Sequence, residues 1–170
     1  MPVLAHLRSF VLPVGAAGVV PAVLLAGSPD LAAPPLPRAL AGAALIVAGL
    51  AMLAWTVGLF ARVGGGTLAP WDPTRRLVVA GPYAHVRNPM ISGVLCVLVG
   101  EATVFASRSV AIWAGAFVAI NHVYFVLSEE PGLVRRFGAE YVEYARNVPR
   151  WLPRLSPYRP AGPPPSGAGD

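Results

Sequence analysis

Lysine is absent from this chain, cysteine occurs once, and charged residues of any kind make up only 12% of its 170 positions. The shortage of charge is the most restrictive of these. A water-soluble domain carries about 25% charged residues, so most of this surface does not face water. With 55% of residues hydrophobic, lipid is the natural alternative solvent. The single Cys96 excludes an intrachain disulfide framework and a cysteine zinc site. Without lysine, the thirteen cationic side chains are all arginines, set against eight acids for a formal charge of +5. These arginines sit in loops and in the tail, beside apolar runs. That placement fits anionic headgroups and topology signals and argues against a nucleic-acid partner.

Four apolar stretches are present: Phe10–Ala26, Ala39–Ala61, Met90–Ala106 and Val110–Leu127, of 17, 23, 17 and 18 residues. Crossing about 30 Å of hydrocarbon takes roughly 17–25 residues. All four are apolar around their whole circumference, and a chain in lipid must satisfy its backbone internally, so they are expected to be helices. The first contains Pro13 and Pro21 and follows His6 and Arg8. A secretory signal is its competing reading, although no small-x-small cleavage site follows. The expected architecture is an all-α integral membrane protein. It has about four transmembrane helices and forms a single domain over residues 1–155. With the N-terminus inside, eleven arginines fall on the cytoplasmic side, and only Arg38 and Arg108 fall outside. This bias predicts that both termini are cytoplasmic.

The connections differ in kind. Ser107-Arg108-Ser109 is a very tight turn, so the third and fourth spans should form a hairpin. The stretch from Arg62 to Pro89 is long for a compact domain and opens with Gly64-Gly65-Gly66. After Pro131, residues Leu133, Phe137, Tyr141, Tyr144 and Val148 recur at spacings of three and four. They predict one amphipathic helix over 132–147, lying in the cytoplasmic interface and starting at Pro131. Residues 156–170, rich in proline and glycine, read as a disordered tail.

Two polar clusters carry the chemistry. Gly81-Pro82-Tyr83-Ala84-His85-Val86-Arg87-Asn88-Pro89 immediately precedes the third span, and Glu129-Glu130 immediately follows the fourth. They lie roughly 40 residues apart in sequence, yet a tight hairpin makes them neighbours. Each piece has a plain structural role: a turn at Gly81-Pro82, a helix start at Pro89, a headgroup anchor in Arg87. Together they bring an arginine, an asparagine, a tyrosine, a histidine and two carboxylates to one hollow at the membrane boundary.

The string GPYAHVRNPMISG, followed downstream by SEEPGLVRRFGAEYVEYARNVPRWLP, resembles the isoprenylcysteine carboxyl methyltransferase and phospholipid methyltransferase superfamily. Its members are membrane enzymes that use S-adenosylmethionine. The resemblance runs from about Leu68 to Pro153. It implies that Arg76, Leu77, Val78, Val79 and Tyr83 line the cofactor, and that Asn88, Pro89, Met90 and Ile91 also touch it. It further implies that Glu129 and Glu130 form the acidic pair that holds the cofactor's amino group. Arg87 matches the family's arginine and is the candidate catalytic residue; no metal is implied. Asn88 stands where the family usually has histidine and Ile91 where it has tyrosine. Asparagine does not titrate near neutral pH, so any base at that point must be His85. Phe125 occupies a position that is arginine in the eukaryotic prenylcysteine enzymes, which weakens the case for a prenylcysteine substrate.

The chemistry of the residues agrees with that resemblance. A carboxylate pair complements an ammonium, and an arginine complements a carboxylate. A dry pocket at the membrane boundary favours methyl transfer from a sulfonium, which consumes charge. The expected partners are therefore S-adenosylmethionine, a lipophilic methyl acceptor and the bilayer. Two alternatives remain open: an NADPH-dependent sterol-type reductase, for which Arg75 and Arg76 would be the 2′-phosphate contacts, and a non-catalytic membrane protein of the same fold. Elsewhere, Glu101 lies toward the outer side, about 10 Å in depth from His122. Asn121 and His122 read as interhelical hydrogen-bonders, and Ala111, Gly115 and Ala119 as a stripe for close helix packing.

Overall fold

A computed structural model describes residues 11–27, 33–59, 62 and 76–160. Every regular element among them is helical, with no strand. In chain order they are α1 (Val11–Val14), a π-wound turn (Gly15–Val19), α2 (Val20–Ala26), α3 (Leu36–Leu59), a 3-10 turn (Gly81–Ala84), α4 (Pro89–Phe105), α5 (Arg108–Tyr124), a second π-wound turn (Phe125–Glu129), α6 (Glu130–Phe137) and α7 (Ala139–Asn147). Two helical stretches, Leu36–Leu59 and Arg108–Phe137, are long and apolar enough to cross a membrane, while Gly15–Ala26 and Pro89–Phe105 are shorter. Several long residues on α3 point away from the protein, Leu40, Val47, Leu50 and Trp55 among them, and on α5 so do Ile112, Ile120 and Val123. An apolar surface of that extent is stable against lipid and costly against water.

The tightest contact joins α3 to α4. A Cβ on Gly42 would lie 2.7 Å from the Gly100 carbonyl oxygen, and one on Gly49 only 2.5 Å from that of Gly93. Gly42 therefore faces Gly100 and Gly49 faces Gly93, so the helices run antiparallel with their backbones nearly touching. Lipid supplies no hydrophobic drive to bring helices together, and small residues that permit such an approach supply dispersion contact instead. The stripe expected to do this, Ala111, Gly115 and Ala119, is exposed, and nothing lies within 4 Å of a Cβ built on Gly115. The close-packing residues are the glycines of α3 and α4.

The tight turn after α4 is present. Ala106 takes the left-handed conformation (φ 48°), and the Ser107 N–H returns to the Ala102 carbonyl at 3.1 Å. The Ser107 hydroxyl then accepts the Val110 N–H and caps α5. Val94 and Leu98 of α4 meet Ala114 and Phe117 of α5 in the bundle core, and Ala16 and Ala17 pack on it.

Proline governs the winding of two helices by one device. Val20 and Glu130 each donate to the carbonyl five residues back, Gly15 and Phe125 respectively, and each directly precedes a proline. A proline ring clashes with the carbonyl four residues earlier and cannot donate to it. One wider turn relieves the clash without ending the helix. The Ala16 carbonyl, five residues before Pro21, accepts the Trp113 indole N–H at 2.9 Å instead. Two sequence expectations are corrected here. Pro131 does not begin a separate helix, because α5 runs through it into α6. Nor is the amphipathic segment one rod, because Gly138 at φ 54°, ψ −130° breaks it between α6 and α7. That backbone conformation is open to glycine and strained for other residues.

Residues expected to be a loose tail from 156 onward begin in a fixed place. The Tyr158 N–H donates to the Ala84 carbonyl at 2.8 Å, and the Tyr158 ring packs on Tyr144. Residues 161–170 lie outside the described residues, as do Phe10 and most of the stretch from Arg62 to Arg75.

Candidate functional site

The two polar clusters meet. Glu130, at the first position of α6, accepts from Arg87 Nη1 at 2.8 Å. Arg150 grips the same carboxylate with both arms, Nε to Oε1 and Nη2 to Oε2, each at 2.8 Å. The three side chains are 15–23% exposed. At such burial a carboxylate shared by two guanidiniums is a strong, directional arrangement. The bond to Glu130 holds the Arg150 guanidinium further into its charged form.

Glu129 has a different environment. It lies two residues beyond the apolar run that ends at Leu127, and no ion pair to it occurs among the described residues. Burial first, and the adjacent Glu130 charge second, push its carboxyl up to about 7. Tyr83, Tyr124 and Tyr141 lie close enough to feel its charge. The result is a half-buried carboxyl without an ion-pair partner among the described residues.

Tyrosines hold the floor of the site. Tyr141, Tyr144 and Val148 form a buried cluster with Leu77, Val79, Leu133 and Phe137 around it. The Tyr144 hydroxyl donates to the Tyr83 carbonyl at 2.8 Å. Burial raises the phenols of Tyr83, Tyr141 and Tyr144 above the ordinary tyrosine range, so all three are neutral donors at physiological pH.

The chain from Pro149 to Tyr158 crosses the 81–89 loop as a strap. The Arg87 N–H donates to the Pro149 carbonyl at 2.9 Å, and the Arg154 N–H to the His85 carbonyl at 3.0 Å. His85 Nδ1 lies 2.8 Å from the Arg154 carbonyl. A carbonyl only accepts, so Nδ1 is the donor of this pair. Residue 154 is thereby held from both sides by one histidine.

The remaining expected site residues divide. Arg76 is exposed, Leu77 and Val79 pack on the tyrosine cluster, and Val78, Tyr83 and Pro89 are buried. Asn88 precedes α4 without capping it through its side chain, while its carbonyl accepts from Ser92. Met90 is half-buried, and Ile91 faces the bundle core rather than the acidic pair. Phe125 is buried against Trp151, with ring centroids 5.9 Å apart. Asn121 donates within its own helix, to Phe117, and so does not link helices. His122 accepts from the Trp151 indole at 3.2 Å. Glu101, away on the outer part of α4, has one buried carboxylate oxygen without a partner. Among the described residues no group of three or more His, Cys, Asp or Glu is placed to hold a metal ion.

Sequence reasoning missed Arg150, the second arm on Glu130, and the strap that carries it. A signal was present: Arg150 stands three residues after Asn147, where the amphipathic pattern stops and Pro149 forces an extended chain.

The chain is similar to two curated relatives. A nickel-cobalt-cadmium resistance protein, NccN, of Alcaligenes xylosoxydans xylosoxydans is 30% identical over 69% of this chain and 54% of its own length. A cobalt-zinc-cadmium resistance protein, CzcN, of Cupriavidus metallidurans is 37% identical over 49% of this chain and 38% of its own length. The chain thus spans about half, or less, of the curated relatives it matches. No solved structure matches it. The pattern of the phospholipid methyltransferase family matches residues 37–140. That match takes in α3, the motif loop, the hairpin and the acidic pair, which is more than half of the sequence, and the chain belongs to the phospholipid methyltransferase family.

Proposed function

We propose that this protein transfers a methyl group from S-adenosylmethionine to a lipophilic acceptor at the cytoplasmic face of a membrane it crosses about four times, with residues 1–155 acting as one domain. The observation that carries the reading is the asymmetry of the acidic pair. Glu130 is fully engaged by two arginines, whereas Glu129 is half-buried and has no ion-pair partner among the described residues. An α-amino group or a sulfonium supplies that missing charge. The arginine side complements it. Two guanidiniums against one carboxylate leave a net positive charge, and Arg87 Nε is a buried donor without an acceptor. A group carrying both an ammonium and a carboxylate fits between them.

When bound, S-adenosylmethionine supplies an electrophilic methyl on a sulfonium that leaves as a neutral thioether. The protein's part is positioning and exclusion of water. Glu129 orients the amino end, Arg87 and Arg150 orient the carboxylate end, and the neutral tyrosines keep the surroundings dry. Loss of charge in the transition state is favoured in such a setting, and alignment of the two reactants supplies much of the rate. An acceptor that carries a proton releases it to a base, and His85, oriented by the contact of its Nδ1 with the Arg154 carbonyl, is the candidate for that role. The relatives' names associate them with metal resistance. On the present reading this chain would serve such a system by modifying a lipophilic component.

Calorimetry with the purified protein tests the cofactor. S-adenosylmethionine should bind and NADPH should not, and Glu129→Ala should lower the affinity at least tenfold; unchanged affinity would sink the assignment. Radiolabelled methyl transfer into extracted lipids identifies the acceptor class.

A further inference from the structure

The strap has an unusual composition for a segment outside any helix. Leu152 is 80% exposed and Leu155 is 101% exposed, the two most exposed large hydrophobic residues described. They are not free to fold inward. Trp151 is fixed on α5, its indole donating to His122 and its ring 5.9 Å from Phe125. Arg154 is fixed on the motif loop by both bonds to His85. Leu152 lies between those two pins, and Leu155 lies between Arg154 and Tyr158, whose N–H donates to the Ala84 carbonyl, so both leucines are held on the outside.

The first pin also sets depth. At 1.5 Å per residue, His122 and Phe125 lie roughly 22–27 Å along the helix from the outer turn at Ser107. In about 30 Å of hydrocarbon that is the inner boundary of the bilayer, where tryptophan side chains concentrate. Arginines stand close to the two leucines in sequence, at positions 146, 150, 154 and 159. Exposed apolar side chains in a stretch rich in arginine match the acyl boundary beneath anionic headgroups.

The geometry points to Trp151–Leu155 as a membrane-interface anchor, seated in the anionic cytoplasmic leaflet, that holds the strap down on the motif loop. The bilayer thereby becomes a third partner of the site beside Arg87 and Glu130. The inference rests on the membrane-spanning reading above and is independent of methyl transfer.

The test uses the full chain in nanodiscs containing phosphatidylglycerol. Leu155→Cys is made in a Cys96→Ala background and labelled with bimane; Ile120→Cys on the outward face of α5 serves as the reference. Lipids carrying a shallow nitroxide should quench the Leu155 label at least threefold more than aqueous iodide does. That ratio should not change as the protein is diluted in lipid. Iodide quenching of Leu155 with lipid quenching of Ile120 would overturn the anchor and leave the span intact, whereas iodide quenching of both would overturn the membrane reading itself. Protection that disappears on dilution would mean that a second copy covers the leucines, and would also overturn it. In the unlabelled protein, Leu152→Ser/Leu155→Ser should raise tryptic cleavage after Arg154 about tenfold; an unchanged rate counts against the anchor.

Discussion

The bundle and the cap above it are held together by opposite means. Within the bundle, α3 and α4 touch through glycines, and the Trp113 indole donates to the Ala16 carbonyl. In the cap, contact runs through phenols, guanidiniums and one carboxylate, Glu130, that three bonds converge upon. The difference follows from the surrounding solvent. Lipid rewards close approach and penalises unpaired polar atoms. Where water reaches, apolar burial stabilises and ion pairs supply direction. One continuous stretch, Arg108–Phe137, passes through both regimes.

The largest effect should come from spoiling the bundle's approach. In Gly49→Leu the new Cβ meets the Gly93 carbonyl at 2.5 Å, and both helices must move apart. The cost should exceed about 3 kcal/mol, read as loss of a monodisperse peak on size exclusion in detergent. Next is Glu130→Gln, which leaves Arg87 and Arg150 facing each other without a shared anion. A loss on the order of 3 kcal/mol is expected, seen as a lower melting temperature.

Its neighbour should behave in the opposite sense. The Glu129 carboxyl is raised from 4.5 to about 7, so the folded protein holds that proton more tightly than the unfolded chain does. The stability this brings is complete below about pH 4.5 and is lost as pH rises through about 7. Glu129→Gln should therefore stabilise the ligand-free protein at pH 8, by roughly 2 kcal/mol, and have little effect at pH 4. Melting curves at the two values check it; equal shifts at both would contradict the account. S-adenosylmethionine affinity of the unmodified protein should rise between pH 6 and 8 for the same reason. The smallest effect is Trp113→Phe, which removes the donor to Ala16 and should cost about 1 kcal/mol, detected by faster amide exchange around Ala16 and Ala17.

The sequence made much of this legible through composition and spacing. Unbroken apolar runs marked the long helices, and the three residues at Ser107 marked the turn that brings Arg87 to the acidic pair. Winding was not legible. A proline normally reads as a boundary, and nothing in the local residues states that α5 would widen by one turn and pass Pro131. Nor does a helical period foretell which arginine outside it will fold back, and so Arg150 was invisible while Glu130 was not. The small-residue stripe on α5 shows the converse limit: spacing permits close packing, but only a partner helix makes it happen.

The passage of α5 through Pro131 makes the ion pair depend on angular phase. Each residue added to or removed from a helix turns everything beyond it by about 100°, and the widened turn at Phe125–Glu129 is one such increment built in. Drop a residue there and Glu130 swings to another side of the rod, away from Arg87, though every side chain of the cap is still present. Between Ser107 and Glu130, how many residues there are matters more to this site than which ones they are.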